Sequence, residues 1–245
     1  MPALPATGLV GPAAVGDPAV VGDPSVPPIR SFKHRRSRIT QGQQEALTRL
    51  WPRFGLDLAP SPLDPSVVFG RVAPVVLEIG FGMGETTLAM AAADPARDIV
   101  AVDVHTPGAG ALLRELDTAG LTNVRVMVQD AVAVTQTMLP AGSLDEVRVF
   151  FPDPWPKQRH QKRRLLSPSV VQLLATRLRP GGRLHVATDW QSYAASVLRV
   201  VAAEPLLVNR FGGFAPRPPE RPLTRFEGQG LAKGHTVHDL IAERR

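Results

Sequence analysis

From residue 74 onward the chain alternates apolar, β-branched runs with helical stretches, and this alternation constrains its fold more than any other feature. It is the pattern of strands joined by crossover helices, an α/β fold with a mostly parallel sheet covered on both faces. Strands are expected at VVLEI (75–79), IVAVD (99–103), VRVMVQ (124–129), EVRVFF (146–151) and GRLHVAT (182–188). Helices are expected near 85–93, 107–119, 131–138, 168–178 and 190–202. Such sheets bind ligands beyond the carboxyl ends of their strands. The residues that fall there are Gly80 to Gly84, Asp103, Asp130, Asp153 and Asp189.

The part before residue 74 reads differently. Residues 1–29 are rich in Pro, Gly, Ala and Val, with the tandem echo VGDPAV and VGDPSV, and lack the large side chains a core needs, so a disordered tail is expected. RSFKHRRSR (30–38) then switches to dense positive charge. Beyond it Thr40 can cap a short helix carrying Leu47, Leu50 and Trp51, with Pro52 and LAPSPLDPS ending it. The organisation expected is therefore a tail (1–29), a basic extension with a short helix (30–73) and one α/β domain (74–245).

Charge and cysteine usage narrow the partners. Lys and Arg outnumber Asp and Glu by 28 to 22, a net charge of +6, which favours polyanions without identifying one. The chain has no cysteine, which excludes disulfides, thiolate metal sites and cysteine nucleophiles. It contains no apolar run long enough to span a bilayer, and the first basic residue is Arg30, too late for the charged start of a secretory signal. A cytoplasmic protein without membrane partners is expected. His235 and His238 lack the carboxylate-histidine spacing of a metal site, and no metal is expected.

The turn after the first strand, LEIGFGMGE, carries Gly80, Gly82 and Gly84, which let backbone approach a ligand closely. Its G-x-G-x-G spacing differs from the G-x-G-x-x-G that seats a pyrophosphate on a helix amino terminus, and this argues against a dinucleotide. Glu78 just upstream repels phosphate and tolerates an ammonium group. Asp103, at the end of the second strand, can accept both hydrogen bonds of a ribose diol. Asp130 could cap the next helix or face an adenine. Together these residues describe a site for an adenosine with an amino-acid tail and no phosphate, which is S-adenosylmethionine.

The stretch FFPDPWPKQRHQKRR (150–164) sets Asp153 between two prolines, follows it with Trp155, and then gathers cations. Prolines restrict the backbone around the carboxylate. Trp155 could stack on a base or pack into the loop. The cations suit a surface of phosphates bound by counterion release.

LEIGFGMGE, the DAV after the third strand, FFPDPWPKQRHQKRR, ATDW and PLTRFEGQGLAKGH occur in an order that resembles the bacterial tRNA (guanine-N7)-methyltransferase family over roughly residues 30–243. The resemblance implies a Rossmann-like class I methyltransferase fold, a seven-stranded sheet ending in an antiparallel strand. It implies methyl transfer from S-adenosylmethionine to guanine at position 46 of the tRNA variable loop. It places Glu78, Asp103, Asp130 and Asp153 on the cofactor, and Lys157, Asp189, Thr224, Arg225, Phe226 and Glu227 on the substrate. The segment Arg159, His160, Gln161, Lys162, Arg163 and Arg164 falls on RNA. The family carries glutamate at the position of Asp103, and either carboxylate can hold a diol.

Asp153 then becomes the expected catalytic residue. N7 of guanine attacks with a free lone pair, so what the reaction needs is alignment and a fixed negative charge near the purine. One rival is an exocyclic-amine methyltransferase, because PDPW is also the acidic-proline-aromatic form that grips an amino group. A second is a non-catalytic RNA-binding protein on the same fold, and the retained acids disfavour it. A monomer or weak homodimer is expected.

Overall fold

The computed structural model describes residues 31–32 and 38–245, leaving aside the side chains of Arg225 and Phe226. The tail reading for residues 1–29, and most of the basic run that follows, lie outside the described residues.

Five strands and the helices between them form within one or two residues of the expected positions at most ends. They are β1 (Val75–Ile79), β2 (Asp98–Asp103), β3 (Val124–Val128), β4 (Leu144–Phe150) and β5 (Leu178–Thr188). The largest difference is at the start of β5, which extends back to Leu178 through a register shift against β4. Between them run α3 (Glu85–Ala93), α4 (Thr106–Ala119), α5 (Ala131–Thr137), α6 (Pro168–Arg177) and α7 (Gln191–Ala203). Before β1 stand α1 (Gln41–Phe54) and the short α2 (Pro65–Phe69). After α7 come β6 (Leu207–Val208), α8 (Arg225–Ala232) and β7 (His238–Arg244).

The sheet has seven strands in the order β3-β2-β1-β4-β5-β7-β6. β1 to β5 pair in parallel, whereas β7 runs antiparallel to both β5 and β6. This is the doubly wound α/β sheet with an antiparallel end. The direction of winding reverses between β1 and β4, and the loops leaving those two strands diverge there to open a crevice.

Each face of the sheet has its own apolar layer. Val75, Leu77, Ile79, Val147 and Val149 face α5, α6 and α7, with Val134, Leu174 and Val197 closing the layer. Val76, Ile99, Ala101 and Val126 face α1 and α4, where Phe54, Leu112 and Leu116 are fully buried. The period-two alternation of side chains along each strand sorts the two sets.

Thr40 caps α1 as expected, in a reciprocal capping box with Gln43. The expectation that Pro52 ends this helix is corrected, because α1 runs on to Phe54. The hydrogen bond that proline removes falls in the last turn, and full burial of Phe54 outweighs it.

Over β4, β5 and β7 the second face holds only a small apolar cluster, Phe150 and Ala187 with Met90. Charged side chains take up the rest, under a cover formed by the chain between β6 and β7. Arg221 is fully buried and bonds both Glu227 and Asp239 at 2.5 to 3.0 Å. Arg217 adds a second contact to Glu227 at 2.9 Å, and His185 Nε2 lies 2.8 Å from Asp239 Oδ1. This network fastens α8 and its approach to the sheet.

Candidate active site

A cavity of about 670 Å3 occupies the crevice at the switch point, and the ends of β1, β2, β3, β4 and β5 all contribute to its wall. Glu78, Gly80, Gly82, Asp103, Asp130, Asp153, Asp189 and Thr224, dispersed over 147 positions of sequence, meet there.

Glu78 sits on β1 at 3% exposure, opposite Arg148 on β4. Burial pushes its carboxyl up to about 7, against the opposing pull of the Arg148 guanidinium. Its Oε2 is buried with no hydrogen-bond partner among the described residues. A buried carboxylate oxygen on a cavity wall is costly unless a donor arrives, and an ammonium group of a ligand is such a donor.

The turn after β1 is built for close approach. Gly82 has φ of +59°, and a Cβ placed on it would meet nothing within 4 Å, so the space beside it belongs to the cavity. Its N–H donates to Asp103 Oδ2 at 2.8 Å, while Oδ1 of the same carboxylate accepts from His105 N–H at 3.1 Å. Asp103 is thereby oriented, and each oxygen keeps a second lone pair for a hydroxyl. Asp130 caps α5, its Oδ1 accepting from Val132 N–H at 2.9 Å, and the residue also lines the cavity. These residues fit an adenosine carrying an amino-acid tail.

Asp153 stands on a strained mount. Phe151 and Trp155, two residues to either side, have φ of +50° and +46°, a left-handed conformation that is uncommon for large side chains. Packing around the loop maintains it. Trp155 is buried, its indole N–H donates to the Ser31 carbonyl at 3.1 Å, and Arg163 lies 5.1 Å from its ring centroid. Arg164 donates to the Pro154 carbonyl at 3.0 Å and to Ser192 Oγ at 3.1 Å. Trp155 therefore packs in the loop, settling the choice its sequence position left open.

The comparisons with known proteins agree with this geometry. A family model described as "Putative methyltransferase" matches residues 72–240. A "tRNA (guanine-N(7)-)-methyltransferase" of Streptomyces avermitilis is 59% identical over 218 residues, covering 88% of this chain and 75% of that one. A relative of the same name from Nitrosomonas eutropha is 50% identical, covering 88% of this chain and 96% of its own. The chain belongs to the tRNA (guanine-N7)-methyltransferase family. Among solved structures, the 16S rRNA methyltransferase KamB is similar at 16% identity and a TM-score of 0.49, covering 86% of this chain and 96% of that chain.

Not every residue that the family resemblance marked lies where a ligand contact requires. Arg164 was expected on RNA, but it is 9% exposed and braces the Asp153 loop from inside, so that reading is corrected. Glu227 was expected on substrate, yet it is 1% exposed and held between Arg217 and Arg221. Burial and hydrogen bonds compete there, and the bonds from Arg221 and Arg217 hold its carboxyl below the usual range. Gly84 stands behind the cavity wall, where a Cβ would strike Leu112 at 2.7 Å; its glycine serves the packing of α3 on α4. Lys157 is exposed at the start of a 3-10 turn (Gln158–Arg163) and is not part of the cavity wall. Arg225 and Phe226 lie outside the described side chains.

The 3-10 turn splits the basic run by its period of three. His160 and Arg163 face Trp155, whereas Arg159 and Lys162 share the exposed side, with Gln161 also exposed. In this tRNA (guanine-N7)-methyltransferase family member the cavity wall also takes in residues to which the sequence assigned no role, among them Lys233 and His235. Gly108 lies behind the cavity wall, where a Cβ would collide with the Gly82 carbonyl oxygen. Lys233 and His235 belong to the GLAKGH segment, which shares in the family resemblance without that resemblance implying a role for either residue.

Proposed function

We propose that this protein transfers a methyl group from S-adenosylmethionine to N7 of guanine in tRNA, at position 46 of the variable loop, in the cytoplasm. The observation that carries the reading is a single cavity, in a chain of this family, that unites the buried carboxylate of Glu78 with the rigidly mounted Asp153.

S-adenosylmethionine, when bound, supplies a sulfonium methyl as electrophile. Glu78 would accept from the ammonium of its amino-acid tail, and Asp103 would accept from its ribose hydroxyls. Gly80 and Gly82 keep side chains out of the space between. Methyl transfer to N7 would leave positive charge on the purine. Asp153 faces that charge without having to reorganise, because its loop is already held by Trp155 and Arg164. No proton leaves N7, so no general base is required. Arg159 and Lys162 supply exposed charge for the phosphates, acting with a monomer or weak homodimer of the chain.

Incubating the protein with unmodified tRNA and labelled cofactor, then digesting and mapping the product, tests the reading. 7-Methylguanosine at position 46 is the expected result. 6-Methyladenosine would instead support the exocyclic-amine alternative, and tRNA binding without label would support a non-catalytic one.

Two further outcomes are expected. Asp103→Ala should weaken cofactor binding measured by calorimetry while leaving tRNA affinity unchanged; an unaltered cofactor dissociation constant would remove the ribose assignment. Replacing Arg159 and Lys162 together by alanine should flatten the dependence of log tRNA affinity on log salt, by somewhat less than about one unit per lost phosphate contact. The melting temperature should not move, since both side chains are exposed. A wild-type salt slope in the folded double variant would make this run a solvated face only.

A further inference from the structure

The cavity wall holds a hydrogen-bonded pair to which the proposed chemistry assigns no task. His235 Nδ1 lies 3.0 Å from Asp189 Oδ2, and both residues line the cavity. We propose that His235 is a positioning residue, whose Nδ1–H donates to Asp189 and fixes the direction of that carboxylate at the substrate side of the site. This rests on the reading of Asp189 as a substrate contact.

The fold delivers the imidazole to that point by a specific local device. α8 ends in a Schellman motif: His235 N–H donates to the Gly230 carbonyl at 3.0 Å and Gly234 N–H to the Leu231 carbonyl at 2.9 Å. Gly234 supplies the left-handed residue the motif demands, with φ of +77°. The two bonds set the backbone of His235 one step past the helix and aim it back along the helix end. Gly230 clears the other side, because a Cβ there would stand 3.0 Å from Asp189 Oδ2. The G-x-x-x-G-H spacing of residues 230–235 thus serves one contact: a glycine to admit the carboxylate, a glycine to turn the chain, and a histidine to hold it.

Asp189 has reason to need such a partner. It follows directly on β5, and α7 is capped one residue later by Trp190, without a side-chain capping bond. The side chains of His235 and Asp189 are 41% and 28% exposed, so their pairing contributes little to stability. Orientation of a substrate-facing carboxylate is a different matter, since small misplacements reduce transfer strongly.

Steady-state kinetics on an unmodified tRNA transcript, with cofactor-product affinity by calorimetry and melting temperature measured alongside, test the proposal in the full chain. His235→Ala should lower kcat/KM about tenfold, with melting temperature and cofactor-product affinity unchanged. His235→Asn places an amide N–H where Nδ1–H stands and should restore most of the rate, whereas His235→Gln mimics the other ring nitrogen and should not. In an Asp189→Ala background, which leaves nothing to position, adding His235→Ala should cause no further loss. Wild-type turnover in His235→Ala, or additive losses in the double variant, would overturn the proposal while leaving Asp189 on the substrate. Wild-type turnover in Asp189→Ala would instead overturn the reading on which it rests.

Discussion

Asp153→Ala is expected to lower methyl transfer at least about a hundredfold, the usual loss when one preorganised electrostatic group is removed from a reacting centre. The expectation is large because the structure invests so much in this one side chain. Two large residues in a left-handed conformation flank it, at Phe151 and Trp155. Trp155 is tied to Ser31, and Arg164 to the carbonyl of Pro154, so the loop has little freedom left to lose when substrate arrives. Neither of those ties uses the Asp153 side chain, and the fold should persist. Single-turnover rates at saturating cofactor, read beside circular dichroism and melting temperature, provide the check. A folded variant with near-normal turnover would remove Asp153 from the mechanism.

The largest loss of stability is expected for Arg221→Ala. Arg221 is fully buried and neutralises Glu227 and Asp239, each with two hydrogen bonds. Removing one partner of a buried charge network leaves the others uncompensated, at a cost of about 3–5 kcal/mol. In a chain of this size that corresponds to a fall in thermal midpoint of roughly 10 °C. The pH dependence identifies the cause. Burial disfavours the charged forms of Glu227 and Asp239, but the bonds from Arg221, with Arg217 on one and His185 on the other, prevail and hold both carboxyls below their ordinary values. A carboxyl lowered on folding contributes stability above its unfolded pKa, about 4, and loses that contribution as pH falls through the lower folded value. The gap between wild type and Arg221→Ala should therefore be widest near neutrality and narrow in acid. Thermal melts across that range measure it, and a gap that stays constant with pH would assign the loss to packing instead of charge.

The local pattern determined the sheet and the approximate site. β1 to β5 are written as β-branched runs of the right length, and a parallel sheet buried on both faces leaves such runs no other place. Acids at the carboxyl ends of β2, β3, β4 and β5 had to converge, because parallel strands all end on one side and the crossovers carry the chain back. Asp103, Asp153 and Asp189 were legible on that basis before any contact was known. β6, α2 and α8 were not, being too short or too polar to show a period above the surrounding loop.

Only the tertiary structure decided which way individual charged side chains turn. Arg163 and Arg164 are adjacent cations in one run, yet one lies over Trp155 and the other supports Pro154, because a 3-10 turn packed on a buried tryptophan presents different sides at successive positions. Glu227 follows Thr224 with the spacing of a helix cap, and the sequence cannot show that Arg217 and Arg221 close over it from the preceding loop. His235 shows no motif spacing in the sequence that would name its partner. Its partner lies 46 residues away at the end of β5, a distance that only the folding of α8 against that strand removes. Sequence periodicity reports which residues share a face of an element; which groups meet across elements depends on packing, and in this protein that includes the orientation of the groups around the site.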